Sequence, residues 1–311
     1  MRCLTPQAPT ASTPPIPSTI EVTPLKTYNQ LCIDARNALR DADCSENPNM
    51  EARQLVAFAA GKTVGQLVRD YMLYASDPIE QAVTRMVRRR ISGEPLAYIL
   101  GSWEFYGLDL TVTPDVLIPR IDTEVLVNEA LQAMDAAGNA APRVLDLCCG
   151  SGCIGIAIGT TLPKSRVVMV DISDNALRVA RSNVMKHTMG SRASCVKANA
   201  LEKPPVNLGT FDLIVSNPPY IKSMEVLTLD SSVRDFEPLG ALDGGEDGYM
   251  FYRAITKKWK TCLRPGGWLM YEVGEEQAQY VALQMKKAGF RNIKILKDTG
   301  CTERVVAGQI E

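Results

Sequence analysis

The sequence predicts an α/β protein: a mostly parallel sheet covered by helices, preceded by a small helical bundle and joined to it by a β-hairpin. Three observations carry this expectation. Beyond Asp122, short apolar runs alternate with segments of helical periodicity, the pattern of parallel strands linked by crossover helices. Between Tyr28 and Ser92 the apolar residues recur at helical spacing. Between these stretches, Trp103 to Val112 alternates around Gly107 like two short strands and a turn.

In chain order, segment 1–26 is expected to be a disordered tail, because its six prolines among Thr, Ser and Ala sustain neither a helix nor a core. Segment 27–92 reads as a helical domain. Leu31, Ala35, Ala38 and Leu39 share one face, as do Leu55, Val56, Phe58 and Ala59, and then Val64, Leu67 and Val68. The last of these helices should start at Asp77-Pro78-Ile79-Glu80, with Asp77 capping free backbone donors, Pro78 in the first helical position and Glu80 in the first turn. It ends in Arg85, Arg88, Arg89 and Arg90, which suit the negative end of the helix dipole or an anionic partner, the former being the simpler account.

Gly93 breaks the helix, and 93–122 reads as a linker containing the hairpin. Segment 123–311 opens with a helix from Thr123, a strand at Val144 to Leu147, a helix after Gly152, a strand at Val167 to Val170 and a helix from Asp174. Strands follow at Cys195 to Lys197, Leu213 to Ser216 and Trp268 to Glu272. The closing runs Asn292 to Leu296 and Arg304 to Ala307 are near enough to pair antiparallel.

The chain has 311 residues, more than one domain of about 100 to 200, so a large unit with a smaller companion is expected. Hydrophobic residues at 46% and charged residues at 22% match ordinary soluble proteins. A net charge of −1 and a pI near 6.0 lack the cationic field that binders of long nucleic acid carry. No apolar stretch approaches the roughly 18 to 20 residues that span a bilayer, and no signal-peptide pattern opens the chain, so the expected location is cytoplasmic. Nine cysteines without paired CxxC spacing read as reduced thiols, and no metal is expected.

The first strand of the large segment runs into Asp146-Leu147-Cys148-Cys149-Gly150-Ser151-Gly152-Cys153-Ile154-Gly155. Gly150, Gly152 and Gly155 form a GxGxxG, with Asp171 at the distance expected of a ribose-binding carboxylate. Such a loop serves dinucleotides and S-adenosylmethionine alike, because glycines admit a nucleotide close to the backbone and the carboxylate accepts both ribose hydroxyls. Asp146, poised beside a cationic ligand rather than a pyrophosphate, favours the second.

So does Ser216-Asn217-Pro218-Pro219-Tyr220, which ends the fourth strand at the edge where open α/β folds bind ligands. Two prolines stiffen the turn and remove donors, leaving the carbonyls of Asn217 and Pro218 as free acceptors. An amide or exocyclic amine carries two N–H donors, which the Asn217 side-chain oxygen and the Pro218 carbonyl can accept, while Tyr220 offers a flat face to a planar acceptor. No strong general base is needed, since an alkylated nitrogen is cationic and sheds its proton readily. The sole histidine, His187, lies far from both motifs and reads as a structural or surface residue.

On these residues the chain from Tyr28 to Glu311 resembles the release factor glutamine N5-methyltransferases, the HemK/PrmC family. Gly93-Glu94-Pro95-Leu96-Ala97-Tyr98-Ile99-Leu100-Gly101 is similar to its interdomain signature, and Leu117-Ile118-Pro119-Arg120 with Asp122-Thr123-Glu124 to its next block. Phe236-Glu237-Pro238, Ala241-Leu242, Gly244-Gly245, Asp247-Gly248, Glu272-Val273-Gly274, Gln277 and Arg304-Val305-Val306 continue the likeness. The resemblance implies a seven-stranded, Rossmann-like S-adenosylmethionine-dependent methyltransferase domain behind a helical domain that helps recognise a peptide chain release factor. It implies transfer to the glutamine of that factor's Gly-Gly-Gln motif.

Carried over by position, Cys148, Cys149, Gly150, Ser151 and Gly152 form the cofactor loop. Asp171 holds the ribose, Asn199 and Ala200 lie near the adenine, and Asn217, Pro218, Pro219 and Tyr220 bind the glutamine, Asn217 touching the cofactor as well. Cys148 stands where the family commonly has glycine, Asn199 where it often has aspartate, and Ala200 where an aromatic is frequent.

A nucleic-acid amino-methyltransferase acting on adenine N6, cytosine N4 or guanine N2 is the runner-up, since a flipped base would also stack on Tyr220. A nicotinamide-dependent dehydrogenase leaves the Asn217 to Tyr220 turn idle, and an inactive binding module leaves both motifs unused. The remaining expectations are a monomer that does not bind nucleic acid stably or associate with membranes.

Overall fold

A computed structural model describes residues 25–311, so the expected tail up to residue 24 lies outside the described residues. Four helices open the described chain: α1 (Tyr28–Asp41), α2 (Pro48–Ala59), α3 (Val64–Arg69) and α4 (Asp77–Ile91). Three start where a side chain meets a free N–H. Thr27 accepts from Gln30, Asn47 from Met50, and Thr63 from Gln66, whose side chain returns the bond to Thr63. At α4 the expected cap is displaced: Ser76 in extended conformation flanks the helix, Asp77 is already helical, and no side chain caps that end. Asp77 and Glu80 act there only as charge in the first turn.

Leu31, Leu39, Leu55, Val56, Leu67, Val83 and Met86 make the core of this bundle. Phe58, Val64 and Val68, expected on inward faces, are exposed. The inward stripe of α2 runs through Ala52, Leu55 and Val56 and leaves Phe58 outside, while the short α3 buries Leu67 alone. Of the arginine row, Arg89 pairs with Glu94 at 2.5 Å and Arg90 with Glu51 at 2.8 Å.

The linker contains an unexpected helix, α5 (Leu96–Leu100), before the hairpin of β1 (Ser102–Phe105) and β2 (Leu108–Thr111). Tyr106 and Gly107, at φ 53° and 71°, supply the two left-handed residues whose twist suits a two-residue hairpin turn.

The large segment contributes α6 (Glu124–Ala136), β3 (Arg143–Leu147), α7 (Cys153–Thr161), β4 (Arg166–Asp171), α8 (Asp174–Lys186), β5 (Ala193–Lys197) and β6 (Phe211–Ser216). After the single turns α9 (Ser223–Val226) and α10 (Ser231–Arg234) come α11 (Met250–Lys258), β7 (Leu263–Glu272), α12 (Ala278–Lys287), β8 (Arg291–Lys297) and β9 (Glu303–Gln309). The seven strands run in the order β5-β4-β3-β6-β7-β9-β8, parallel except for β9, which lies antiparallel to both neighbours. Residues of α6, α7 and α8 pack on one face and those of α11 and α12 on the other. β7 begins at Leu263, earlier than expected, with a register shift opposite Phe211 to Leu213.

Two features of this sheet position the site. Chain direction across the sheet reverses between β3 and β6, which opens a crevice at the carboxyl edge. Leu147 pairs with both Val170 and Ser216, so β3, β4 and β6 end level and the loops beginning at Cys148 and Asn217 start side by side.

Candidate active site

The loop leaving β3 bends sharply. Cys148, Gly150 and Gly152 all have positive φ, at 59°, 53° and 80°. Cys148 holds this conformation with a Cβ, a strain of roughly 1 to 2 kcal/mol. The loop is clamped to β4, because Asp171 accepts from the Gly150 N–H and the Ser173 N–H, each at 2.9 Å. Asn183 supports it from behind. This fully buried side chain exchanges hydrogen bonds with both backbone groups of Thr111 on β2 and donates to the Ser151 carbonyl at 3.0 Å.

Asp146 lies elsewhere than expected. It is fully buried beneath the loop and does not line the cavity. One oxygen accepts from the Gly155 N–H at 2.9 Å, the other has no partner, and burial pushes its pKa up to about 7. Burial also pushes the thiols of Cys148, Cys149 and Cys153 up.

A cavity of about 630 Å³ opens above these loops, within the usual range for small-molecule sites. Of the residues anticipated for the site, Cys148, Cys149, Gly150, Ser151, Asp171, Asn199, Ala200, Asn217 and Pro219 line it. Gly152 does not: it sits behind the loop as the residue before α7, so it shapes the wall without forming it. Asn199 turns inward on its own loop, accepting from the Leu201 N–H at 2.9 Å, and the Ala200 carbonyl accepts from the buried Trp259 indole at 2.9 Å. Arg120 also lines the cavity and pairs with the buried Glu237, which accepts from the Ile118 N–H at 3.2 Å.

The loop leaving β6 buries Pro218 and Pro219 and leaves Asn217 and Tyr220 half-buried. Pro218 and Tyr220 are not among the residues that line the cavity. Among the described residues no protein donor reaches the Pro218 carbonyl. Gln277 holds the Tyr220 carbonyl at 2.9 Å. Gly244 packs against this turn so closely that a Cβ would lie 2.7 Å from the Tyr220 Cα, which explains the glycine.

Below Asn217 lies a polar cluster that the sequence did not single out as a site. The Thr123 hydroxyl donates to the Glu272 carboxylate at 2.5 Å, Asn217 Nδ2 stands 3.4 Å from Thr123 Oγ1, and the Tyr220 hydroxyl 3.5 Å from the other Glu272 oxygen. Glu272 is buried, and burial pushes its pKa up to about 7 against the opposing pull of the Thr123 hydroxyl and Arg304. A carboxylate ending the apolar strand Trp268 to Tyr271 was the available signal, as Asp171 is at the end of β4.

His187, remote from the cavity, follows α8 with its ring nitrogen 3.0 Å from the Asp109 carbonyl. Among the described residues the cysteines are free, no cluster of three or more metal-ligating side chains occurs, and no helix is long and apolar enough to cross a membrane.

Residues 121–231 match the methyltransferase small domain and residues 30–101 the PrmC N-terminal domain. A release factor glutamine methyltransferase of Geobacter sulfurreducens is 44% identical over 268 residues, covering 85% of this chain and 90% of that protein. One of Bordetella pertussis is 38% identical over 267 residues, covering 85% and 95%. Among solved structures, the hMettl16 catalytic domain in complex with a MAT2A 3'UTR hairpin superposes with a TM-score of 0.53. It is 16% identical and covers 76% of this chain and 83% of that one, a likeness of fold alone.

Proposed function

From the premise that this chain belongs to the release factor glutamine methyltransferase family, we propose that the crevice between β3 and β6 carries out that reaction. A methyl group passes from S-adenosylmethionine to the side-chain amide nitrogen, N5, of the glutamine in the Gly-Gly-Gln motif of a peptide chain release factor. The reaction serves translation termination. The observation that carries this reading is the level ending of β3 and β6, which sets the glycine loop beside Asn217.

The residues fit the cofactor. Asp171, at the end of β4, suits a ribose diol, with Asn199 and Ala200 beside the adenine and Cys148 to Ser151 backing the remainder. A pyrophosphate fits less well, because Asp146 already takes the Gly155 N–H at the start of α7 and stores a carboxyl group under the loop. S-adenosylmethionine supplies an electrophilic methyl on a cationic sulfur.

The chain's own work is to hold the nucleophile. The Asn217 oxygen and the Pro218 carbonyl accept the two amide hydrogens, Pro219 stiffens the turn, and Tyr220 backs the planar group. Delocalisation makes an amide nitrogen a weak nucleophile, so fixing it in line within a dry site is catalysis by positioning.

Residues 27–92 are proposed to recognise the release factor, 93–122 to join the units and 123–311 to perform the transfer. The enzyme is read as a cytoplasmic monomer without a stable hold on nucleic acid, in keeping with a net charge of −1. Fragmentation mass spectrometry of a reacted release factor tests the reading: the added methyl should lie on the side-chain nitrogen of that glutamine. A methyl on any other residue would contradict it.

A further inference from the structure

We propose that Glu272, acting through Thr123, is the positioning residue that determines which end of the Asn217 side-chain amide faces the methyl acceptor. The inference rests on the reading of Asn217 as an acceptor-binding residue and adds what orients it.

The two arms of an asparagine amide are nearly equal in size, so shape alone does not decide which faces the cavity. The choice matters. A primary amide offers two N–H donors, and an Asn217 turned the wrong way would meet them with its own NH2. The hydrogen-bond chain below Asn217 removes the ambiguity. A threonine hydroxyl has one hydrogen, and Thr123 donates it to Glu272 at 2.5 Å. Toward Asn217 the Thr123 oxygen can then only accept, and Asn217 Nδ2 stands 3.4 Å from it. With its NH2 arm so engaged, Asn217 has its oxygen arm left for the acceptor.

Thr123, which lines the cavity, and Glu272 are both 2% exposed, so the bond between them is largely shielded from bulk solvent. Glu272 ends β7, Thr123 precedes α6 and Asn217 follows β6, so three separate parts of the fold converge on this chain.

An ionised Glu272 can only accept, whereas a protonated one can donate to Thr123 and reverse the chain. The groups around it are Arg304 on β9, Asp122 beside Thr123, the hydroxyls of Tyr220 and Tyr252, and Cys153 at the start of α7. Asp298 in turn holds Arg304 at 3.2 Å. With burial carrying Glu272 to about 7, the orienting form is populated above that pH and lost below it.

The test is methyl transfer to a release factor at saturating substrate, with cofactor affinity measured by calorimetry on the same samples. Thr123→Val should lower kcat on the order of 100-fold with cofactor affinity unchanged, as misplacement of a reacting group does. Thr123→Ser, which keeps the hydroxyl, should recover most of the turnover. The wild-type kcat should fall as pH drops below about 7, and Glu272→Gln should lose this acid limb.

Wild-type kcat in Thr123→Val, equal loss in Thr123→Ser, or an unchanged acid limb in Glu272→Gln would overturn the proposal while leaving the parent reading intact. Absence of transfer by the wild-type chain would overturn both.

Discussion

The Gly150 N–H donates to the Asp171 carboxylate at 2.9 Å, joining the loop after β3 to the end of β4 as one unit. The other carboxylate oxygen accepts from Ser173, so both oxygens organise backbone in a residue that also lines the cavity. Asp171→Asn replaces one acceptor with a donor and removes the charge. Cofactor affinity should fall about 10- to 100-fold, the worth of a hydrogen bond to a charged group. Calorimetry that finds an unchanged Kd would take Asp171 out of the cofactor site.

Asn217→Ala separates binding of the cofactor from transfer. It removes the proposed acceptor contact and leaves the glycine loop and Asp171 untouched. Turnover should be abolished with little loss of cofactor affinity. Near-normal turnover would refute the positioning mechanism.

Gly244→Ala probes the turn from outside. The added Cβ would lie 2.7 Å from the Tyr220 Cα and 2.9 Å from the Pro219 carbonyl oxygen, both backbone atoms that cannot step aside cheaply. The Asn217 to Tyr220 turn must shift, so kcat should drop sharply while far-ultraviolet circular dichroism stays near wild type. Unimpaired turnover would mean the turn tolerates movement.

Asp146 gives a pH-dependent prediction. Burial raises its folded pKa from 3.8 to about 7, so in that window the native chain binds more protons than the unfolded chain. The contribution of Asp146 to stability is therefore fully present below the unfolded value and is lost as pH rises through the folded one. Asp146→Asn keeps an acceptor for the Gly155 N–H and removes the charge. Its stability relative to wild type should increase as pH rises from about 4 to about 7, by on the order of a few kcal/mol, and level off above that, in urea unfolding followed across pH. A difference independent of pH would contradict this.

What the sequence disclosed was local. The glycine loop and the Asn217 to Tyr220 turn are contiguous motifs at the ends of recognisable strands, and the alternation beyond Asp122 foretold the parallel sheet. Partners distant in sequence were not legible. Thr123 and Glu272 are separated by 149 residues, and only the fold brings them under Asn217. Asn183 lay in an ordinary amphipathic helix, and its role depends on Thr111, 72 residues away. Periodicity marked the apolar stripes of α2 and α3 but not their width, which is why Phe58, Val64 and Val68 proved exposed. Asp146 reads as a ligand-facing carboxylate because it lies just inside the end of a strand, yet its side chain turns beneath the loop to Gly155.

The central claim is tested most directly by transfer of radiolabelled methyl from S-adenosylmethionine to a purified release factor, beside its Gly-Gly-Gln variant with glutamine changed to alanine and beside bulk RNA and DNA. Label on the unmodified release factor alone is the predicted result. Label on nucleic acid, or equal label on the alanine variant, would contradict it.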